Sequence, residues 1–330
     1  MSELLLNIKD LKVGYRVYKG LLRVLNGVNI EIYKGERVGI VGETGSGKTT
    51  IARSILRILP KAAKIFDGKV LFEDKDVLTM SKPEVSLLRR QQISMIFQDP
   101  TAALNPVSTI GSIMSDVIGY SYTAEGSRVK PSQIREMAIN ALRLASLPAP
   151  ERILASYPFQ LSGGMRQRVF IAMALATPRS LVIADEPTTN LDVTIQDQIL
   201  RLIKRLIDEK HTSLILISHS LDVVSEMTDR VYMTYGGTVV EQANTRDLFE
   251  NPYHPYSRAL LSCIPRLSGG GFGSGIPGQM VDYLAAPRGC RFSPRCPKAL
   301  PVCRTEAPPL VETEPGHKVA CFLFSEKQGS

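Results

Sequence analysis

Residues 37–50 read Arg37-Val38-Gly39-Ile40-Val41-Gly42-Glu43-Thr44-Gly45-Ser46-Gly47-Lys48-Thr49-Thr50. Short apolar residues run into a Gly-x4-Gly-Lys-Thr turn, and a helical pattern follows. A strand, a glycine-rich loop and a helix in that order form a phosphate cradle. Bare glycines let several backbone N–H groups converge on one anion. Lys48 is placed to reach the outer phosphates, and the Thr49 hydroxyl to hold Mg²⁺. A buried strand feeding such a loop predicts an α/β domain.

The chain around this stretch has 330 residues, 44% of them hydrophobic, and a net charge of +8. That length accommodates one large domain and a small one. The Lys and Arg residues are dispersed, so the basic balance gives little reason to expect nucleic acid. No uninterrupted apolar run is long enough to cross a membrane. The N-terminal residues lack a signal peptide's pattern, which leads us to expect a cytoplasmic protein.

Further strands are expected at 181–184 and 213–217, both near-continuous apolar runs suited to burial on two faces. Residues 231–235 and 238–240 flank Gly236-Gly237 as a hairpin. Asp67-Gly68 reads as a second hairpin turn. The helix after the phosphate loop is expected to run from Thr49 towards Leu59. Ser81 and Glu84 form a capping-box pattern. Ile195, Ile199, Leu202, Ile203, Leu206 and Ile207 define a helix over 194–210. Six glycines between 268 and 278 read as a flexible linker. The Pro- and Cys-rich remainder reads as a small irregular module.

Leu181-Val182-Ile183-Ala184-Asp185-Glu186 places two carboxylates at the carboxyl end of a buried strand, where open α/β sheets bind ligands. Asp185 suits Mg²⁺ binding, and Glu186 suits polarising a water for in-line attack. Gln98 and His219 also follow apolar runs, and suit contacts to Mg²⁺ or water and to a γ-phosphate. Ser162-Gly163-Gly164 opens a helical run from Met165 and offers a second anion site. The chain's own loop already holds phosphate, so this second site fits a nucleotide bound by another subunit.

Together these motifs resemble the nucleotide-binding subunit of an ABC transporter over residues 1–260. They are the Walker A stretch 42–49 continuing into Thr50, Gln98, the signature Leu161–Arg168, the Walker B stretch 181–186, the D-loop Asn190-Leu191-Asp192 and His219. The resemblance implies a P-loop NTPase of the ABC type. That fold has a mostly parallel core sheet, an antiparallel β subdomain, a helical subdomain near 100–175 and a small irregular Cys-rich C-terminal module over 261–330. It implies an ATPase whose two domains close on ATP, with Tyr15 stacking on adenine. Segment 99–116 would meet a membrane permease subunit, and Asn190 stands where Ala is commoner.

Asn251–Leu261 and Gly289–Cys296, continuing to Cys303 and Cys321, are similar to the oligopeptide and dipeptide importer ATPases. That similarity implies a peptide cargo, with oligosaccharide or nickel as alternatives. It implies a non-identical second ATPase subunit, two permease subunits, an external solute-binding protein and a place on the cytoplasmic face of the membrane. A soluble ABC ATPase of repair or translation is the reading from another class; the single motif set and the lack of heptads argue against it. Family members with this cysteine pattern resemble [4Fe–4S] carriers, which would make Cys290, Cys296, Cys303 and Cys321 the ligands. Inert or disulfide-linked thiols and zinc are the alternatives. The spacings are wider than zinc knuckles. His317 is expected at the surface, and Cys263 in the core.

Overall fold

The computed structural model describes residues 3–98, 104–122, 129–189, 191–263 and 275–325. The chain forms two compact units. One combines residues 1–79 with 216–330, and the other holds 80–215.

In the first unit, β1 (Leu4–Val17), β2 (Gly20–Tyr33), β4 (Ala63–Phe72) and β5 (Lys75–Asp76) make an antiparallel sheet in the order β2-β1-β4-β5. β4 passes straight through Asp67-Gly68, so the hairpin expected there does not form. The reason lies in the partner strand. The β1–β4 register slips between Lys9 and Lys12, and Asp10 and Gly68 both take positive φ. A Cβ on Gly68 would stand 2.6 Å from the Asp10 carbonyl oxygen. The glycine therefore serves a bulge rather than a turn. Lys12 closes the bulge, its Nζ 2.8 Å from Asp10 and 3.1 Å from Asp67.

The second sheet of this unit contains the phosphate-loop strand. β3 (Arg37–Val41) lies parallel to β9 (Arg230–Tyr235), pairing Val38 with Arg230 and Val41 with Met233. β9 turns back into β10 (Thr238–Asn244). β10 pairs antiparallel with β12 (His317–Ala320), and β12 with β11 (Leu310–Glu314). The sheet is thus mixed rather than mostly parallel, because returning hairpins extend it. The C-terminal segment is likewise not wholly irregular, since it contributes two strands. Val38, Ile40 and Val41 are fully buried, which explains the unbroken apolar run.

The helices here are α1 (Lys48–Ile55), α8 (Leu221–Met227), α9 (Thr245–Glu250), α10 (Pro255–Ser262) and α11 (Phe322–Ser325). α1 stops before Leu59, because Arg57 turns to a φ of 50°.

The second unit contains the parallel pair β6 (Ile93–Ile96) and β7 (Leu181–Asp185). Its helices are α2 (Lys82–Gln91), α3 (Ile110–Tyr122), α4 (Pro131–Leu144), α5 (Pro150–Ala155), α6 (Gly163–Ala174) and α7 (Val193–Lys210). The Ser81–Glu84 capping box is present, and α7 buries Ile199, Leu202, Ile203, Leu206 and Ile207 as its spacing requires. β8 (Ser213–Ser218) falls at the division of the chain and is buried throughout. Asn190, residues 99–103 and the glycines at 269, 270, 271 and 273 lie outside the described residues.

Candidate nucleotide site

The phosphate loop of the first unit is held from several sides. Thr234 Oγ1 on β9 donates to the Val41 carbonyl (2.9 Å) and meets Ser46 Oγ at 3.1 Å. The Gly237 N–H donates to the Ser46 carbonyl at 2.9 Å. Gly237 has a φ of 77°, and a Cβ there would lie 1.5 Å from the Val24 carbonyl oxygen. Only glycine lets the β9–β10 turn reach the loop. Tyr256 Oη on α10 accepts the Glu43 N–H (2.9 Å), and Tyr283 Oη donates to the Gly45 carbonyl (2.5 Å). Burial pushes the Tyr283 phenol up to about 12, so it stays protonated and able to donate. Arg295, with a side chain only 4% exposed, grips the Glu43 carboxylate.

Lys48 folds back onto the loop, with Nζ 2.8 Å from the Gly42 carbonyl and 3.1 Å from that of Glu43. Thr44 and Gly45 are exposed, Gly47 and Thr49 are half-buried, and Thr50 is buried. Tyr15 is half-buried on β1, its hydroxyl 3.0 Å from Thr50 Oγ1, so it stands beside α1. His219 follows β8 and is exposed.

In the second unit Asp185 ends β7 buried, and Glu186 follows with a φ of 48°. A left-handed backbone at a non-glycine residue costs about 1–2 kcal/mol, and such strain concentrates at functional positions. The Glu186 carboxylate accepts from Gln98 Nε2 at 3.2 Å and from Thr189 Oγ1 at 3.1 Å, both on Oε2. The structure thus brings Gln98 and Glu186 together.

Ser162 caps α6, its Oγ accepting the Met165 N–H at 3.3 Å. Ser162 and Gly163 are exposed, with open space at the position a Gly163 Cβ would occupy. Asp192 is exposed at the start of α7. Sequence reasoning missed Gln167. Its buried amide donates to the Pro187 carbonyl at 2.6 Å and ties the Ser162 helix to the segment carrying Glu186. The available signal was a neutral amide between two arginines on a helix whose next residues are apolar.

The four tail cysteines lie in the first unit. Burial pushes the Cys290 thiol up to about 11, and Cys296, Cys303 and Cys321 all act on it electrostatically. Burial also raises the thiols of Cys296 and Cys321. Among the described residues no group of three or more His, Cys, Asp or Glu is arranged for a metal ion. His317 is not on the surface. It is 2% exposed, and its Nε2 lies 2.7 Å from the fully buried Glu241. Cys263 is only half-buried, its thiol donating to the Ala259 carbonyl at 3.2 Å.

Residues 25–189 match the family model described as ABC transporter, and 240–303 match the oligopeptide/dipeptide transporter C-terminal region. A probable peptide ABC transporter ATP-binding protein of Sinorhizobium fredii is 44% identical over 98% of this chain and 96% of its own length. The oligopeptide transport ATP-binding protein OppD of Escherichia coli is 41% identical over 97% of this chain and 94% of its own. Among solved structures, a dimeric ATP-binding cassette in a post-hydrolysis state, bound to ADP and Pi, matches at a TM-score of 0.65. It is 28% identical and covers 73% of this chain and 99% of its own.

Proposed function

The chain belongs to the ATP-binding proteins of the oligopeptide/dipeptide ABC transporter family, and on that premise we propose that it hydrolyses ATP to power the import of short peptides. The observation that carries the hydrolytic part is the Glu186 carboxylate, held by the Gln98 amide at 3.2 Å on a strained backbone at a strand end. A carboxylate so fixed is positioned to orient and deprotonate an attacking water. Lys48 and the loop N–H groups from Gly42 to Thr50 bind the phosphates, and His219 contacts the γ-phosphate. Tyr15 supports the adenine. Thr49, Gln98 and Asp185 offer the hard oxygen donors that Mg²⁺ takes. The ion, when bound, neutralises charge on the phosphates.

Ser162, Gly163, Gly164 and Asp192 face a second ATPase subunit, whose bound ATP they complete. That subunit is a non-identical paralogue, and the pair drives two permease subunits on the cytoplasmic face of the membrane. Among the described residues no helix is long and apolar enough to cross a membrane. We read residues 1–260 as the nucleotide-binding domain and 261–330 as linker and C-terminal module. The relatives reported above carry peptide cargoes in their names, which favours peptides over oligosaccharides or nickel.

Four cysteine thiols supply the ligand count of a [4Fe–4S] cluster, and Cys296, Cys303 and Cys321 all act electrostatically on Cys290. Cys290, Cys296, Cys303 and Cys321 would hold the cluster, which would supply a covalent cross-link and a redox centre.

Glu186→Gln tests the function. With the paralogue and permease present, the variant is expected to bind ATP and stop turning over. Undiminished peptide-stimulated hydrolysis would refute the assignment.

A further inference from the structure

The phosphate loop contains a carboxylate. Glu43 follows Gly42 directly, within the stretch meant to receive a polyphosphate, and an anion there opposes binding. The carboxylate is not left to solvent. Arg295 reaches it from 252 positions away in sequence, with one guanidinium nitrogen 2.7 Å from Oε2 and the other 3.2 Å from Oε1. This is the two-pronged geometry in which Arg binds carboxylate best. The fork is itself held. Arg295 Nε donates to the Pro277 carbonyl (2.8 Å), and the second terminal nitrogen to that of Ile276 (2.9 Å). Tyr235 Oη accepts from the first at 3.4 Å.

The turn that bears Arg295 is anchored independently. Phe292 is buried edge-on against Tyr235 and Tyr256. Arg291 donates to the carbonyls of Gly236 and Val24, and at 3.0 Å to that of Arg23. The C-terminal segment is therefore fastened to the phosphate loop at a charge, and not merely packed beside it.

We propose that Arg295 is a positioning residue for ATP binding: it neutralises Glu43, so that this carboxylate neither repels the nucleotide's phosphates nor offsets the charge of Lys48 in the same loop. The proposal rests on the reading of residues 42–50 as the ATP phosphate site. In this way a residue of the cysteine-bearing turn sets the electrostatics of a loop at the other end of the chain. A simple brace makes a different forecast. If Arg295 only stiffened the loop, removing the carboxylate as well would not repair its loss. If it cancels charge, removing the carboxylate would.

The test is MgATP binding by calorimetry on the full chain, at low and at high salt. Arg295→Ala is expected to raise Kd on the order of tenfold at low salt and by less at high salt. Adding Glu43→Gln to that variant is expected to restore Kd to within about twofold, and Glu43→Gln alone to tighten binding, since the guanidinium then faces the phosphates unopposed. If Arg295→Ala does not fold, Arg295→Gln, a longer neutral side chain that can keep the carbonyl contacts, carries the same comparison with and without Glu43→Gln, and Glu43→Gln alone still decides the sign. An unchanged Kd in Arg295→Ala, a double variant as weak as the single, or weaker binding by Glu43→Gln alone would each overturn the proposal. Lys48→Ala is the control. If the intact chain binds no ATP, or binds it as well after Lys48→Ala, the ATP-site reading itself has failed.

Discussion

Acidification should weaken this fold through one histidine, by a calculable amount. His254 is 1% exposed and caps α10, its Nδ1 accepting the Tyr256 N–H at 3.0 Å. Burial lowers its pKa from 6.5 to about 4, although the nearby Glu241 works the other way. The folded state therefore resists a proton that the unfolded chain accepts. Above pH 6.5 both states carry a neutral ring, and no stability is lost. As pH falls from 6.5 towards 4 the unfolded state gains protons first, so stability falls with it; below 4 the loss is complete. Between pH 7 and pH 5 the difference amounts to about 2 kcal/mol. Urea unfolding of the whole chain, followed by circular dichroism at pH 7, 6 and 5, measures it. His254→Asn supplies the comparison, because the amide oxygen can keep the cap while nothing titrates. Wild type should lose about 2 kcal/mol more than the variant over that range. Equal losses in the two proteins would refute the reasoning.

Glu186→Gln should lower turnover by about a hundredfold or more while trapping an ATP-bound pair, read by size-exclusion chromatography with the partner subunit. Gly237→Ala should cost about 3 kcal/mol or more, because its Cβ meets the Val24 carbonyl; Gly35→Ala has a similar φ of 75° but open space and should cost only about 1 kcal/mol. Denaturant midpoints of the two variants separate collision from backbone strain. Purified without oxygen, the protein should be brown and contain about four irons, and replacing Cys290 and Cys303 by Ser should remove both colour and iron.

The strands and helices that the sequence disclosed are those whose pattern reports burial. Val38–Val41, Leu181–Ala184 and Leu214–Ile217 are apolar because both faces are covered. The α7 stripe repeats every third or fourth residue because one face is. Loops that bind phosphate have a glycine spacing that little else requires, so Gly42–Thr49 could be located unaided. What stayed hidden depends on partners distant in sequence. Asp67-Gly68 carries the signature of a turn, and only the irregularity in β1 makes it a bulge. His317 lies in a polar stretch, and only the Glu241 carboxylate, 76 positions earlier, explains its burial. Arg295 reads as one more basic residue until the fold sets it against Glu43. Gln167 is a polar residue on a helix until Pro187 arrives to accept its amide proton.

The first unit is assembled from both ends of the polypeptide, and this has a consequence for biosynthesis. When the ribosome has released β3 and the phosphate loop, the partners that fix them are not yet translated. β9, the Gly237 turn, Tyr256, Tyr283 and Arg295 all follow the 80–215 unit. At about 5–20 residues per second the loop waits on the order of ten seconds or longer for its last contact. During that time β3 offers an unpaired apolar edge, the kind of surface that recruits chaperones. A message truncated anywhere before codon 295 yields a chain whose Glu43 still has no counter-charge. Translation through codon 295 thus becomes a condition for presenting a finished phosphate loop.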